Sequence, residues 1–220
     1  MKKIIIMFAL GLLTQPTIRA QGPVYLSNLG QTSTGSVAVG SDSWLAEDFT
    51  TGTNVSGYSL NSIQLEMADA SGNPTNFAAM LYSAVSGGAT LPGSNLGTLD
   101  GSLNPTTAGI YTFTPASNLT LSAETPYFIV LTAGTAVANG AYGWGYANTS
   151  TYNPSGRWLG GVTLISSNGS TPWTRLGSNP LYDFSEFAIN ATAIPEPGDL
   201  GLFSLGGLAF LWHRRKAKAV

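Results

Sequence analysis

Tyr127-Phe128-Ile129-Val130-Leu131-Thr132 is the stretch on which the fold turns. Its length and its Phe, Ile and Val suit a strand. Successive side chains of a strand point to opposite faces. An apolar run with no polar break therefore needs cover on both faces, which places this strand in the middle of a sheet. Phe77 to Ser83 reads the same way.

Working outward, Tyr58 to Met67 is a third strand. Tyr58 and Leu60 share one parity, while Ile63, Leu65 and Met67 share the other. That parity change between Leu60 and Ile63 predicts a β-bulge. Ser71-Gly72-Asn73-Pro74 is a turn, and the Gly/Ser-rich run from Ser86 to Gly97 reads as a loop. Ile110 to Thr114, Ala141 to Tyr146, Arg157 to Ile165 and Phe184 to Thr192 continue the short-strand pattern. Between Gln21 and Ala193 nothing sustains a helical period. The expectation is an all-β fold: a single β-sandwich, jelly-roll-like, with an N-terminal signal helix and a short C-terminal transmembrane helix.

The two ends read as addresses. Met1-Lys2-Lys3 is a positive leader, Ile4 to Leu13 an apolar segment, and Ala20 a small residue at a cleavage point. Residues 1–20 are read as a signal peptide, residues 21–193 as the domain, and residues 194–220 as a tail. The tail begins with Pro195-Glu196-Pro197, which is barred from a helix or a central strand because each proline lacks an N–H and fixes φ. An uncharged run follows, carrying Leu200, Leu202, Phe203, Leu205, Leu208, Phe210, Leu211 and Trp212. At roughly 20 Å as a helix it is short against a hydrocarbon core of about 30 Å. His213 and the basic residues Arg214, Arg215, Lys216 and Lys218 close the chain, and positive-inside logic puts that end in the cytoplasm. An ordinary tail anchor stays open beside the sorting reading.

Seven of the nine Lys and Arg residues lie in these two ends. Only Arg157 and Arg175 remain in residues 21–193, against nine of the eleven acidic residues, a net of −7. A phosphate-binding surface needs the opposite sign, so nucleic acid is excluded as a partner. Cysteine is absent, so there is no disulfide framework and no thiolate chemistry. A domain of this size can close one core without disulfides.

The order Pro195-Glu196-Pro197, apolar helix, basic end resembles the PEP-CTERM sorting signal of Gram-negative exported proteins. That resemblance implies an exosortase-type processing enzyme as partner and cleavage near the triplet. It also implies membrane attachment through the helix before processing, and an association with exopolysaccharide. Pro195, Glu196 and Pro197 would be substrate residues. Phe49-Thr50-Thr51-Gly52, Pro74 to Ser83, Leu91-Pro92-Gly93, Tyr111-Thr112-Phe113, Pro126 to Leu131 and Tyr142-Gly143-Trp144 together look like a choice-of-anchor R domain. That likeness supports a surface protein and carries no catalytic residues with it.

The only histidine is His213, in the tail, and residues 21–193 contain no lysine. Ser-His-Asp hydrolysis, Cys-His catalysis, Schiff-base chemistry and the usual zinc sites each lose an essential group. The reading is therefore non-enzymatic. A glycosidase needs only two carboxylates, so that class stays open with Glu47, Asp48, Glu66, Asp69, Asp183 and Glu186 as candidates, each otherwise expected to be a solvated edge or turn residue. No cofactor is expected. A structural calcium on Asp42, Glu47 and Asp48 is the one metal site left open. Tyr142, Trp144 and Tyr146 share one strand face. Exposed, they would stack on sugar rings as a carbohydrate-binding row; turned inward, they would be core.

Overall fold

The computed structural model describes residues 22–85, 91–147, 151–176 and 184–196. The expected signal helix and transmembrane helix lie outside them. The described residues form an all-β, antiparallel structure. Its strands are β1 (Val24–Ser27), β2 (Gly35–Val39), β3 (Trp44–Thr50), β4 (Tyr58–Gly72), β5 (Ala78–Ala84), β6 (Pro92–Asp100) and β7 (Gly109–Pro115), followed by β8 (Thr120–Leu121), β9 (Pro126–Thr132), β10 (Gly140–Ala147), β11 (Leu159–Ser166), β12 (Thr174–Arg175), β13 (Phe184–Ser185) and β14 (Phe187–Ala193). A 3-10 turn, Val137–Asn139, leads into β10. Among the described residues no helix is long and apolar enough to cross a membrane.

β9 sits between β3 and β5, antiparallel to both. Ile129 and Leu131 face one apolar cluster and Phe128 and Val130 another, and all four are fully buried. The double-sided demand of the sequence is thus met on both sides. β11 and then β12 extend the sheet beyond β3, and β6 extends it beyond β5. A short pairing of Leu99 with Pro115 and Asp100 with Thr114 joins β6 to β7. From there the sheet runs through β4, β14 and β1.

The sheet curls over its own inner face. The main core mixes Leu45, Phe49, Leu81 and Leu131 from one part with Ile63, Leu65, Trp144 and Ile189 from the other. Each large side chain closed off this way contributes about 1.5–3 kcal/mol. The second cluster, on the opposite face of β3, β5, β9 and β11, gathers Ala46, Met80, Phe128, Val130, Leu164 and Trp173.

β4 is the long element. On one edge it pairs first with β14, from Tyr58 to Leu65, and then with β10, from Met67 to Gly72. The β14 register shifts between its pairs Asn190–Ser62 and Ala191–Leu60. This is the bulge that the parity of Leu60 and Ile63 requires, and it leaves both residues facing the core.

Residues 92–97, expected in a loop, instead belong to β6. Pro92, Asn95 and Gly97 pair with β5 despite two register shifts. The strand is mostly exposed, so its Ser, Asn and Gly residues meet no demand for apolar burial. β14 brings the ends of the domain together. The Ala191 amide donates to the Pro23 carbonyl at 3.2 Å, and the Ile194 amide donates to the Gly57 carbonyl at 3.0 Å. The chain enters and leaves at the same end of the molecule.

Candidate functional site

The aromatic row of β10 turns inward. Tyr142 and Trp144 have no exposed surface, and Tyr146 is half-buried. Tyr142 meets Phe77 edge-on at 5.2 Å, and its hydroxyl donates to Asn104 Oδ1 at 2.7 Å. The Trp144 indole N–H donates to the Glu186 carbonyl at 3.1 Å. Tyr142 and Trp144 therefore face the core and are closed to a sugar, so no row of three exposed rings exists; only Tyr146 keeps a partly open ring. The glycines between them explain the choice. A side chain on Gly143 would meet Ser36 and Ala68, and one on Gly145 would meet Glu66 and Ser33, at 2.9–3.3 Å. The outer face of β10 is closely covered, and the bulk goes inside.

Two of the glycosidase candidates, Glu47 and Glu186, are also buried, against the expectation of solvated carboxylates. Glu47 lies on β3 between Leu45 and Phe49, shares their parity, and has no exposed surface. The Thr163 hydroxyl donates to its Oε2 and the Tyr152 hydroxyl to its Oε1 at 3.2 Å. Burial pushes its pKa up to about 8, against the pull of the Thr163 hydrogen bond and with a smaller push from Asp48. At neutral pH it is mainly a carboxylic acid held in a nest of hydroxyls. The parity shared with Leu45 and Phe49 is the sequence signal that could have found it.

Asp48 points to the other face, as neighbours on a strand must, and accepts from the Val162 amide. Burial raises its pKa and the Val162 N–H opposes the rise. The close approach depends on Gly161, where a side chain would collide with the Asp48 carboxyl. Glu47 and Asp48 thus form no facing catalytic pair. Asp69 binds the Ala108 amide at 2.8 Å, tying β4 to the turn before β7. Asp183 lies outside the described residues.

The calcium set is not assembled. Asp42 instead accepts from the Val137 amide at 2.8 Å, and Glu47 is enclosed in the core. Among the described residues no three His, Cys, Asp or Glu side chains gather as a metal centre.

Glu66 and Glu186 are brought together. Glu186 is 1 % exposed. Its burial raises its pKa, a hydrogen bond from Ser33 opposes that, and repulsion from Glu66 adds to it. Its Oε2 is buried with no hydrogen-bond partner among the described residues.

The end where the chain leaves is accessible. Asn54 Nδ2 donates to the Gly57 carbonyl at 2.6 Å and to the Ile194 carbonyl at 3.0 Å, fixing the exit of β14. Pro195 and Glu196 follow and are exposed; Pro197 and the rest of the tail, including Arg214, Arg215 and Lys216, lie outside the described residues. Beside the exit is an open groove of about 410 Å³, whose lining includes Thr53, Glu124, Arg157, Trp158 and Leu159. Trp158 stacks on Phe49 and Tyr25, with ring centroids 5.8 and 5.3 Å away. Arg157 and Leu159 are exposed, so the groove joins a cation and an apolar side chain to threonine hydroxyls.

Comparison with protein-family models, curated proteins and solved structures finds no match to this chain.

Proposed function

We propose that this chain is an exported surface or extracellular-matrix protein of a Gram-negative bacterium, non-enzymatic, with a structural or adhesive role linked to exopolysaccharide. Its domain is a single β-sandwich of jelly-roll type, the two parts of the curled sheet forming its two layers. An N-terminal signal peptide exports it. The PEP-CTERM tail holds it transiently in the inner membrane until an exosortase-type enzyme cuts near Pro195-Glu196-Pro197.

One observation carries the reading. The fold is completed at Ala193, is pinned at Ile194 by Gly57 and Asn54, and releases Pro195 and Glu196 into solvent. A processing enzyme can grip an extended, exposed segment without unfolding the last strand. With Tyr142 and Trp144 turned inward, the open groove lined by Thr53, Glu124, Arg157 and Leu159 is the surface offered to a polysaccharide.

The test is fractionation of a host that carries an exosortase, with wild type beside a variant in which Pro195, Glu196 and Pro197 are all Ala. Wild type should reach the outer surface or medium with residues beyond the triplet removed. The variant should stay in the inner membrane with its tail intact. Equal release and equal mass of the two would contradict the sorting role.

A further inference from the structure

The junction where β4, β10 and β14 meet holds an unsatisfied buried carboxylate oxygen. The ladder of β4 with β14 ends at Leu65–Phe187, and the ladder with β10 begins at Met67–Trp144. Glu66 and Glu186 sit in the gap between them. The Glu66 amide donates to the Glu186 carbonyl at 3.1 Å, and the Glu186 amide donates to the Gly145 carbonyl at 2.9 Å. With the Trp144 indole on the same Glu186 carbonyl, the Glu186 backbone is held from both neighbouring strands. Its side chain is enclosed, the residue being 1 % exposed.

Ser33 reaches Glu186, and Glu66 repels it. Above Gly145, the Ser33 hydroxyl and the Glu66 side chain come within 3.1–3.3 Å of the point where a Cβ would stand. Gly145 lets Ser33 and Glu66 lie this close to the strand. Glu186 Oε2 finds no donor there, and no hydrogen bond among the described residues joins the two carboxyl groups. Leaving a buried acceptor unpaired costs about 1–3 kcal/mol, and more if it is charged. A positive ion relieves both the orphaned oxygen and the repulsion.

We propose that Glu66, Glu186 and the Ser33 hydroxyl form a divalent-cation site, of calcium type, at this junction. Calcium accepts carboxylate and neutral oxygen ligands at about 2.3–2.6 Å, tolerates irregular geometry, and completes its shell with water. Only three side chains are then needed from the protein. The surplus of acid over base in residues 21–193 draws such a cation in. The site would lock the two strands that share one edge of β4.

The test uses the purified chain stripped with a chelator. Its thermal midpoint is followed against added CaCl2, and Tb3+ emission is followed with excitation through tryptophan, Trp144 being anchored on Glu186. Wild type should gain several degrees in calcium and show saturable Tb3+ emission. Glu186→Gln, with its fold checked by circular dichroism, should lose the thermal gain. Glu66→Gln should weaken Tb3+ binding at least about tenfold, and it decides the matter if Glu186→Gln does not fold. No calcium response in wild type, or an equal response in folded variants, would overturn the site.

Discussion

Glu47 and Glu186 are both carboxyl groups closed off from water, and they are built oppositely. Around Glu47 each oxygen has a hydroxyl donor, from Tyr152 and Thr163, and the group is mainly uncharged at neutral pH. Around Glu186 one oxygen has no donor among the described residues, and a second carboxylate stands near. A buried acid costs little when it keeps its proton and its lone pairs are met. The first arrangement is complete within the chain. The second leaves one oxygen without a donor among the described residues. Burial alone therefore does not identify a functional acid; the state of its oxygens does.

The largest test of the contrast is Trp144→Ala. Trp144 fills the core and also pins the Glu186 carbonyl, so the change reaches both regions. Loss of about 3–5 kcal/mol is expected, read by urea denaturation. A loss below about 1 kcal/mol would mean that the ring faces solvent after all.

Gly161→Ala comes next. It forces a methyl group against the Asp48 carboxyl, at about 1–3 kcal/mol, again by denaturant midpoint. Unchanged stability would show that β11 yields where its register with β3 shifts, between Gly160 and Thr163, and that Asp48 is not tightly seated.

Glu66→Gln is the smallest. In chelator at neutral pH it removes repulsion on Glu186, so stability should hold or rise by less than about 1 kcal/mol. A clear fall without metal would mean that Glu66 has a structural partner and that the contrast with Glu47 is overstated.

The sequence made some of this visible, for physical reasons. An unbroken apolar run such as Phe128–Leu131 has only one cheap placement, the middle of a sheet. The phase slip between Leu60 and Ile63 has only one cheap explanation, a bulge. β6 was not visible because Ser94, Asn95 and Gly97 carry no apolar alternation; hydrogen bonding to β5 makes it a strand. Alternation in Tyr142–Tyr146 shows that the rings share a face but not which face, since that depends on what covers Gly143 and Gly145. Glu47 could have been read from its parity. Glu186 could not, because its setting depends on where β14 stops and β10 begins along β4, a relation between residues far apart in sequence.

Stability against pH, compared between wild type and Glu47→Gln, tests most directly whether the inner face is a closed interior. In the fold Glu47 keeps its proton to about pH 8, while in the unfolded chain it loses it near its ordinary value of 4.5. The unfolded state therefore binds fewer protons between those values, and stability must fall as pH rises through the window. The slope reaches up to about 1.4 kcal/mol per pH unit. Asp48 and Glu186, also raised, add to the fall. Glu47→Gln, which is neutral at every pH, should abolish the larger part of it. Parallel curves for the two proteins would contradict the account, because they would show that Glu47 titrates in water.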